Sequence, residues 1–226
     1  GAGEMTYPYR ILVKVPTRER PKQFNERVHR MIDMQAVRPG SAGEYTSEYL
    51  FAVDDDDTGT LALKLPTKLL AKGPRVSKIE ACNRGVSLAE WDIVVLASDD
   101  MICQVQGWDE IIRQDMATHF PDTDGCLWYP DGHQENLCTL AVMGRKAFDT
   151  RGHIYHPSYF SLWCDKEWTE YWQAQGKLWK SERTLFSHLH PGWKTAKMDP
   201  LYRKNNTFDR RDMLNFQRRQ ALGFPA

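Results

Sequence analysis

Hydrophobic residues along this chain fall into short uniform runs separated by stretches of helical period. The most uniform run, Ile93-Val94-Val95-Leu96-Ala97, stops at Ser98-Asp99-Asp100. It is too short for an isolated helix and too evenly apolar for a strand with one wet face, so it predicts a strand buried on both faces. Arg10–Val15, stopped by Pro16, predicts a first strand, and Tyr49–Val53 predicts a second that ends in Asp54-Asp55-Asp56-Asp57. Between them Phe24, Val28, Met31, Ile32 and Val37 recur at helical spacing, giving an amphipathic helix that ends before Pro39-Gly40. Thr60–Leu65 reads as a short strand closed by Pro66, and Ser77-x-x-Glu80 is a capping box for a helix from Lys78 to Leu88. Strands thus alternate with helices, the pattern of an α/β protein with a mostly parallel sheet flanked by helices.

The second half is less regular. Gly107-Trp108-Asp109 opens a helix with Ile111 and Ile112 inward, 122–136 reads as a loop, Leu137–Met143 as a strand, and Gly144–Phe148 as the start of a short helix. The segment 152–161, aromatic and histidine-bearing, is expected to surround a pocket. Asp165 starts a helix with Trp168, Tyr171 and Trp172 on its apolar face and Gly176 as its stop. Leu185–His190 alternates with period two, which points His188 and His190 to one side. The final stretch, 206–222, sets Arg210, Arg211, Arg218 and Arg219 around Phe208, Leu214 and Phe216.

Composition narrows the class. A chain of 226 residues is long enough for one sizeable core, so a single domain over 1–226 is expected. Basic and acidic residues balance at 30 each, which removes the global charge signature of a nucleic-acid binder and leaves room only for a local basic patch. The five cysteines are odd in number and lack Cys-x-x-Cys spacing, which argues against a disulfide framework or structural zinc and for a reducing compartment. No apolar stretch approaches the ~20 residues of a membrane span. No signal peptide is recognised, and Gly1-Ala2-Gly3 reads as a cloning remnant. The expectation is a soluble, cytoplasmic protein with no membrane partner.

Candidate chemistry gathers at the ends of the predicted strands, where ligands bind in open α/β sheets. Asp99 and Asp100 would sit there. Adjacent acids can simply cap the next helix, but a divalent cation is also an economical way to keep both ionised, and Mg2+ or Mn2+ suits such oxygens while bridging substrate phosphates. Thr17, Arg18 and Arg20 follow the first strand, where arginine matches phosphate in charge and geometry. Neither common glycine-rich phosphate loop is present, which disfavours a Rossmann dehydrogenase or a P-loop enzyme.

Taken in order, Val15-Pro16-Thr17-Arg18, Val53-Asp54-Asp55, Lys78 with Asn83, Ser98-Asp99-Asp100, Asp165-Lys166-Glu167 and His188-Leu189-His190-Pro191 resemble a glycosyltransferase of the GT-A type, similar to the family 2 enzymes. The resemblance implies a Rossmann-like, single-domain GT-A fold, with a nucleotide-binding half over about 5–115 and an acceptor-binding half with a basic tail over about 116–226. It implies that Pro16, Thr17, Arg18 and Arg20, with Asp54 or Asp55, hold the nucleotide, that Lys78 and Asn83 lie nearby, and that Asp99 lies against ribose or sugar. Asp100 would bind Mn2+ or Mg2+, with His188 or His190 completing the metal shell. Asp165 would deprotonate the acceptor, with Glu167 in reserve. The family's Asp-x-Asp is here Ser98-Asp99-Asp100, so its first carboxylate is missing.

The implied reaction moves a sugar from a nucleotide diphosphate sugar, a UDP-sugar by resemblance, to an acceptor hydroxyl with inversion. A hydroxymethylated pyrimidine in phage DNA is the leading specific acceptor, since the arginine-rich tail with interleaved aromatics suits phosphate contact and stacking. A glycan or small-molecule acceptor, a sugar nucleotidyltransferase and a non-catalytic nucleotide-sugar-binding module stay open as alternatives, and the oligomeric state is not legible.

Overall fold

A computed structural model describes residues 8–37, 47–65, 69–189 and 197–226. Its centre is the pair of strands richest in aliphatic residues. β1 (Ile11–Pro16) pairs in parallel with β2 (Ser47–Asp54) on one side and with β4 (Ile93–Leu96) on the other, so that Ile11 faces both Ser47 and Ile93. β3 (Leu70–Gly73) adds a parallel edge to β2. β6 (Cys126–Trp128), β7 (Val142–Gly144) and β8 (Leu178–Lys180) extend the other side, giving a seven-stranded sheet of order β3-β2-β1-β4-β7-β6-β8. Within this sheet, the β4–β7 and β6–β7 pairings are antiparallel and the other pairings among the described residues are parallel. β5 (Met101–Cys103) and β9 (Phe186–His188) form a separate antiparallel ribbon in which Met101 lies opposite His188.

Alternation along β1 and β2 divides the core. Ile11, Val13, Val15, Phe51 and Val53 meet α1 (Pro21–Asp33) and α4 (Trp108–His119) through Phe24, Val28, Met31, Trp108 and Ile112. Leu12, Leu50, Val94 and Leu96 face α3 (Lys78–Asn83), α5 (Arg145–Arg151) and α6 (Cys164–Ala174), where Phe148, Trp168 and Trp172 fill the space. Each such side chain contributes about 1.5–3 kcal/mol on burial. Lys14 interrupts this second face. It is fully buried, its Nζ donates to the Arg84 carbonyl, and burial lowers its pKa to about 7. All five cysteines are buried free thiols.

The C-terminal segment folds back as α7 (Pro200–Asn206) and α8 (Asp209–Ala221). Asp212 accepts the backbone N–H groups of Phe160, Ser161 and Leu162 at 3.0, 2.8 and 2.9 Å, which pins an irregular segment beside the sheet. Among the described residues no helix is long and apolar enough to cross a membrane.

Local expectations fail where side chains compete with periodicity. Thr60–Leu65 is not a strand: Asp57 accepts the Thr60 N–H and hydroxyl at 3.2 and 2.7 Å and nucleates α2 (Thr58–Leu61). The helix expected over Lys78–Leu88 stops at Asn83, because Gly85 turns left-handed at φ 79° before a 3-10 turn at Val86–Leu88. α1 ends at Asp33, and the Ala36 N–H is taken by Asp109 at 2.6 Å instead of by the helix. The loop expected over 122–136 contains β6, and the strand expected over Leu137–Met143 begins only at Val142. Pro39, Gly40, Pro66 and His190 lie outside the described residues.

Candidate active site

The parallel strands end on one side of the sheet, and there a cleft of about 460 Å³ opens. Thr17 and Arg18 enter it after β1, Asp54 from the last position of β2, and Ser98, Asp99 and Asp100 directly after β4. Lys78 comes from the first turn of α3, Asp165 from the first turn of α6, His188 from β9 and Tyr202 from α7.

At one end Arg18 donates to Asp54 at 2.5 Å and to the Val76 carbonyl at 2.6 Å, a pair almost closed to solvent. In the middle Asp99 accepts the Thr17 hydroxyl at 2.9 Å and Arg20 at 3.0 Å, while Arg20 makes a forked contact with Asp199 at 2.8 and 2.9 Å. Burial raises the Asp99 pKa to about 6, with Arg20 opposing the rise and Asp100 adding to it.

Asp100 is engaged through both of its carboxylate oxygens. Its Oδ2 lies 3.2 Å from His188 Nε2 and accepts the Tyr202 hydroxyl at 2.9 Å, and its Oδ1 accepts the Ser98 hydroxyl. Burial pushes this carboxyl towards protonation, but His188, Ser98 and Lys78 outweigh it, and its pKa lies well below the ordinary carboxylate range. The β5–β9 ribbon produces this meeting, since pairing Met101 with His188 delivers the imidazole to the residue just before β5.

Across the cleft, Asp165 is set by a strained backbone. Trp163 precedes α6 at φ 67°, a conformation that side chains other than glycine's rarely adopt. Asp165 is therefore a first-turn residue, not the helix cap. Burial raises its pKa, with Lys78 opposing. Lys78 opens onto the cleft while protein surrounds it. Burial disfavours its charge, but Cys164, Cys82, Asp100 and Asp165 more than compensate and its pKa rises.

No protein-family model matches the sequence, and no curated protein resembles it at the sequence level. Solved structures do share its architecture. A mannosyltransferase from Pyrobaculum calidifontis, solved with GDP-Man and Mn2+, superposes with a TM-score of 0.57 at 18% identity over 79% of this chain and 55% of its own. TarS from S. aureus gives 0.55 at 13% identity over 82% of this chain and 38% of its own. Glucosyl-3-phosphoglycerate synthase from Mycobacterium tuberculosis, solved with Mg2+ and UDP, gives 0.51 at 14% over 85% of this chain and 73% of its own. The chain has a GT-A fold. It spans about half the length of the mannosyltransferase and less of TarS.

On the GT-A framework, the cleft brings together Pro16, Thr17, Arg18, Arg20, Asp54, Lys78, Asp99, Asp100, Asp165 and His188. Three expected site residues are placed elsewhere. Asp55 is exposed at the turn beyond Asp54. Asn83 braces the backbone instead, donating to the Tyr155 carbonyl at 2.7 Å and accepting the Ile154 N–H at 2.9 Å. Glu167 is locked in a buried cluster with Arg219, Arg151 and Tyr159 and does not line the cleft. Arg219 is accordingly a core residue rather than part of a basic tail, whereas Arg210, Arg211 and Arg218 are exposed.

Sequence reading missed Tyr202, Asp199 and Asp131. Asp131 accepts the N–H groups of His133 and Gln134 at 2.8 Å each and the Thr139 hydroxyl at 2.7 Å, with its Oδ2 3.9 Å from His188 Nδ1. It therefore stands behind the imidazole, on the side away from Asp100. Nothing local in a Gly- and Pro-rich loop announces it.

The residues present fit a hard divalent cation. Asp100 offers an ionised oxygen and His188 a ring nitrogen at the same point of the cleft. Among the described residues no group of three or more His, Cys, Asp or Glu side chains forms a cage. A cation shared with substrate phosphates needs only one or two protein ligands.

Proposed function

We infer that the protein transfers a sugar from a nucleotide diphosphate sugar to an acceptor hydroxyl, with Asp165 as general base. What carries this reading is the placement of Asp100 and Asp165 on one cleft with Lys78 within electrostatic reach of both. A bound cation and an acceptor hydroxyl would then have separate carboxylates. Arg18, Asp54 and Thr17 hold base and ribose, and Arg20 and Asp99 frame the sugar side. Asp100 and His188, with His190 as the alternative imidazole, hold Mn2+ or Mg2+, which when bound supplies Lewis-acid charge neutralisation at the departing diphosphate. The acceptor oxygen bonds to the anomeric carbon as the sugar–phosphate bond breaks, and its proton passes to Asp165, whose raised pKa suits it to that task. Configuration inverts. The nucleotide is a uridine diphosphate on the strength of the resemblance. Residues 5–115 serve the donor, and 116–226 serve the acceptor.

For the acceptor, the reading is a hydroxymethylated pyrimidine in DNA. It is supported by exposed Arg203, Lys204, Arg210 and Arg211 beside cleft-lining Leu201, Asn205 and Asn206, and by the Arg211 guanidinium 3.4 Å from the centre of the Phe160 ring. Such a base must leave the duplex to reach the cleft. The test is incubation with mixed sugar nucleotides, Mn2+ and hydroxymethylated DNA, followed by mass spectrometry. Sugar added to DNA, with a rate that falls steeply with salt, supports the full reading. Sugar added only to glycans or small molecules removes the DNA acceptor, and formation of a sugar nucleotide with release of pyrophosphate, in a parallel incubation with nucleoside triphosphates and sugar 1-phosphates, removes the transferase.

A further inference from the structure

Tyr202 does more than line the cleft. Its hydroxyl has one proton and two acceptors within reach, Asp100 Oδ2 at 2.9 Å and the Leu189 carbonyl at 3.2 Å. Its ring is held independently of that proton, with the Arg20 guanidinium 4.2 Å from the ring centre and Arg20 forked onto Asp199 at the start of α7. Asp199 also caps α7 by accepting the Tyr202 N–H at 2.9 Å. The phenol can therefore change acceptor by turning its O–H bond, without moving the ring or the helix.

The two acceptors are linked. Leu189 donates its N–H to the Asp100 carbonyl at 2.8 Å, so both belong to the same short bridge between the residue before β5 and the residue after β9. A phenolic proton on Asp100 Oδ2 occupies a lone pair that a cation would need.

We propose that Tyr202 is a positioning residue that stands in for the divalent cation on Asp100, and that its hydroxyl passes to the Leu189 carbonyl when the cation is bound. The inference rests on the reading of Asp100 as a cation ligand. In the free protein the phenol keeps the buried carboxylate satisfied, and cation binding must first displace a hydrogen bond to a charged group. Removing that bond strengthens cation binding by about tenfold.

The test is Mn2+ titration of the full chain by electron paramagnetic resonance, without donor, comparing the natural protein with Tyr202→Phe. Phenylalanine keeps the ring over Arg20, and a thermal unfolding curve checks that the variant folds. Tyr202→Phe is expected to bind Mn2+ about tenfold more tightly. Equal or weaker binding overturns the stand-in role while leaving the cation site intact. Asp199→Ala removes the cap and the Arg20 contact, loosening α7 while keeping the phenol, so its Mn2+ affinity is expected to stay within about twofold. Tightening in Asp199→Ala equal to that in Tyr202→Phe would assign the effect to helix mobility and overturn the proposal. No Mn2+ bound by the natural protein, either alone or with a nucleoside diphosphate added, overturns the cation reading and this inference together.

Discussion

Glu167 and Arg219 are joined by two hydrogen bonds of 2.8 Å, buried on the face of α6 opposite Asp165. Residues two apart on a helix point in nearly opposite directions, so one first turn sends one acid to the cleft and the other to the core. Arg151 and the Tyr159 hydroxyl complete the buried cluster at 3.3 and 2.6 Å. Glu167→Gln is therefore expected to cost about 3–5 kcal/mol, as for a buried pair broken on one side. Denaturant unfolding should show that loss, while turnover per folded molecule stays near normal. A stable but inactive variant would return Glu167 to the catalytic candidates.

Asp165→Asn separates binding from chemistry. The amide keeps the shape of the first turn but cannot take the acceptor proton. Transfer is expected to fall about 10²–10⁴-fold, while nucleoside diphosphate binding, followed by calorimetry, stays within a few-fold. Normal transfer by this variant would reduce Asp165 to a structural residue.

Asp100→Ala tests the other carboxylate. The variant should still fold but melt at a lower temperature, because a buried carboxylate held by Ser98, Tyr202 and His188 is lost, so turnover is read per folded molecule. Metal-dependent turnover of donor should disappear. Full activity of Asp100→Ala in the presence of a chelator would remove Asp100 as the cation ligand.

Lys14 makes stability depend on pH. Its pKa is about 7 in the folded protein against an ordinary 10.5, because burial penalises the charge. Between those values the unfolded chain holds a proton that the folded protein has released, so stability climbs as pH rises from about 7 to 10.5. Below 7 both states hold the proton, and the full cost of the buried ammonium remains. Lys14→Met is expected to be more stable at pH 6.5 by roughly 1–3 kcal/mol, the scale on which apolar side chains replace buried charges. Melting curves at pH 6.5 and 9.5 should show that advantage shrinking at the higher pH. A constant difference would mean that Lys14 does not titrate in this range.

Much of the first half was legible in the chain. Ile11–Val15, Tyr49–Val53 and Ile93–Leu96 are apolar enough to require burial on both faces, and parallel packing then puts Thr17, Asp54 and Asp99–Asp100 at one edge. The second half resisted because its strands are three residues long, too short for any period to show. There the elements are defined by their partners: β9 exists by pairing with β5, and Asp131 is placed by the loop it caps.

The sequence by itself determined the alternation of buried strands and helices and the carboxylates that follow β2 and β4, because hydrophobic burial and chain stereochemistry act over a few residues. The tertiary structure alone decided which polar groups meet. Asp54 rather than Asp55 faces the cleft, Glu167 serves the core, Asn83 braces backbone, and Tyr202 comes from the far end of the chain to reach Asp100. Contacts of that kind depend on crossovers and packing angles set by the whole core, to which no local stretch of residues responds.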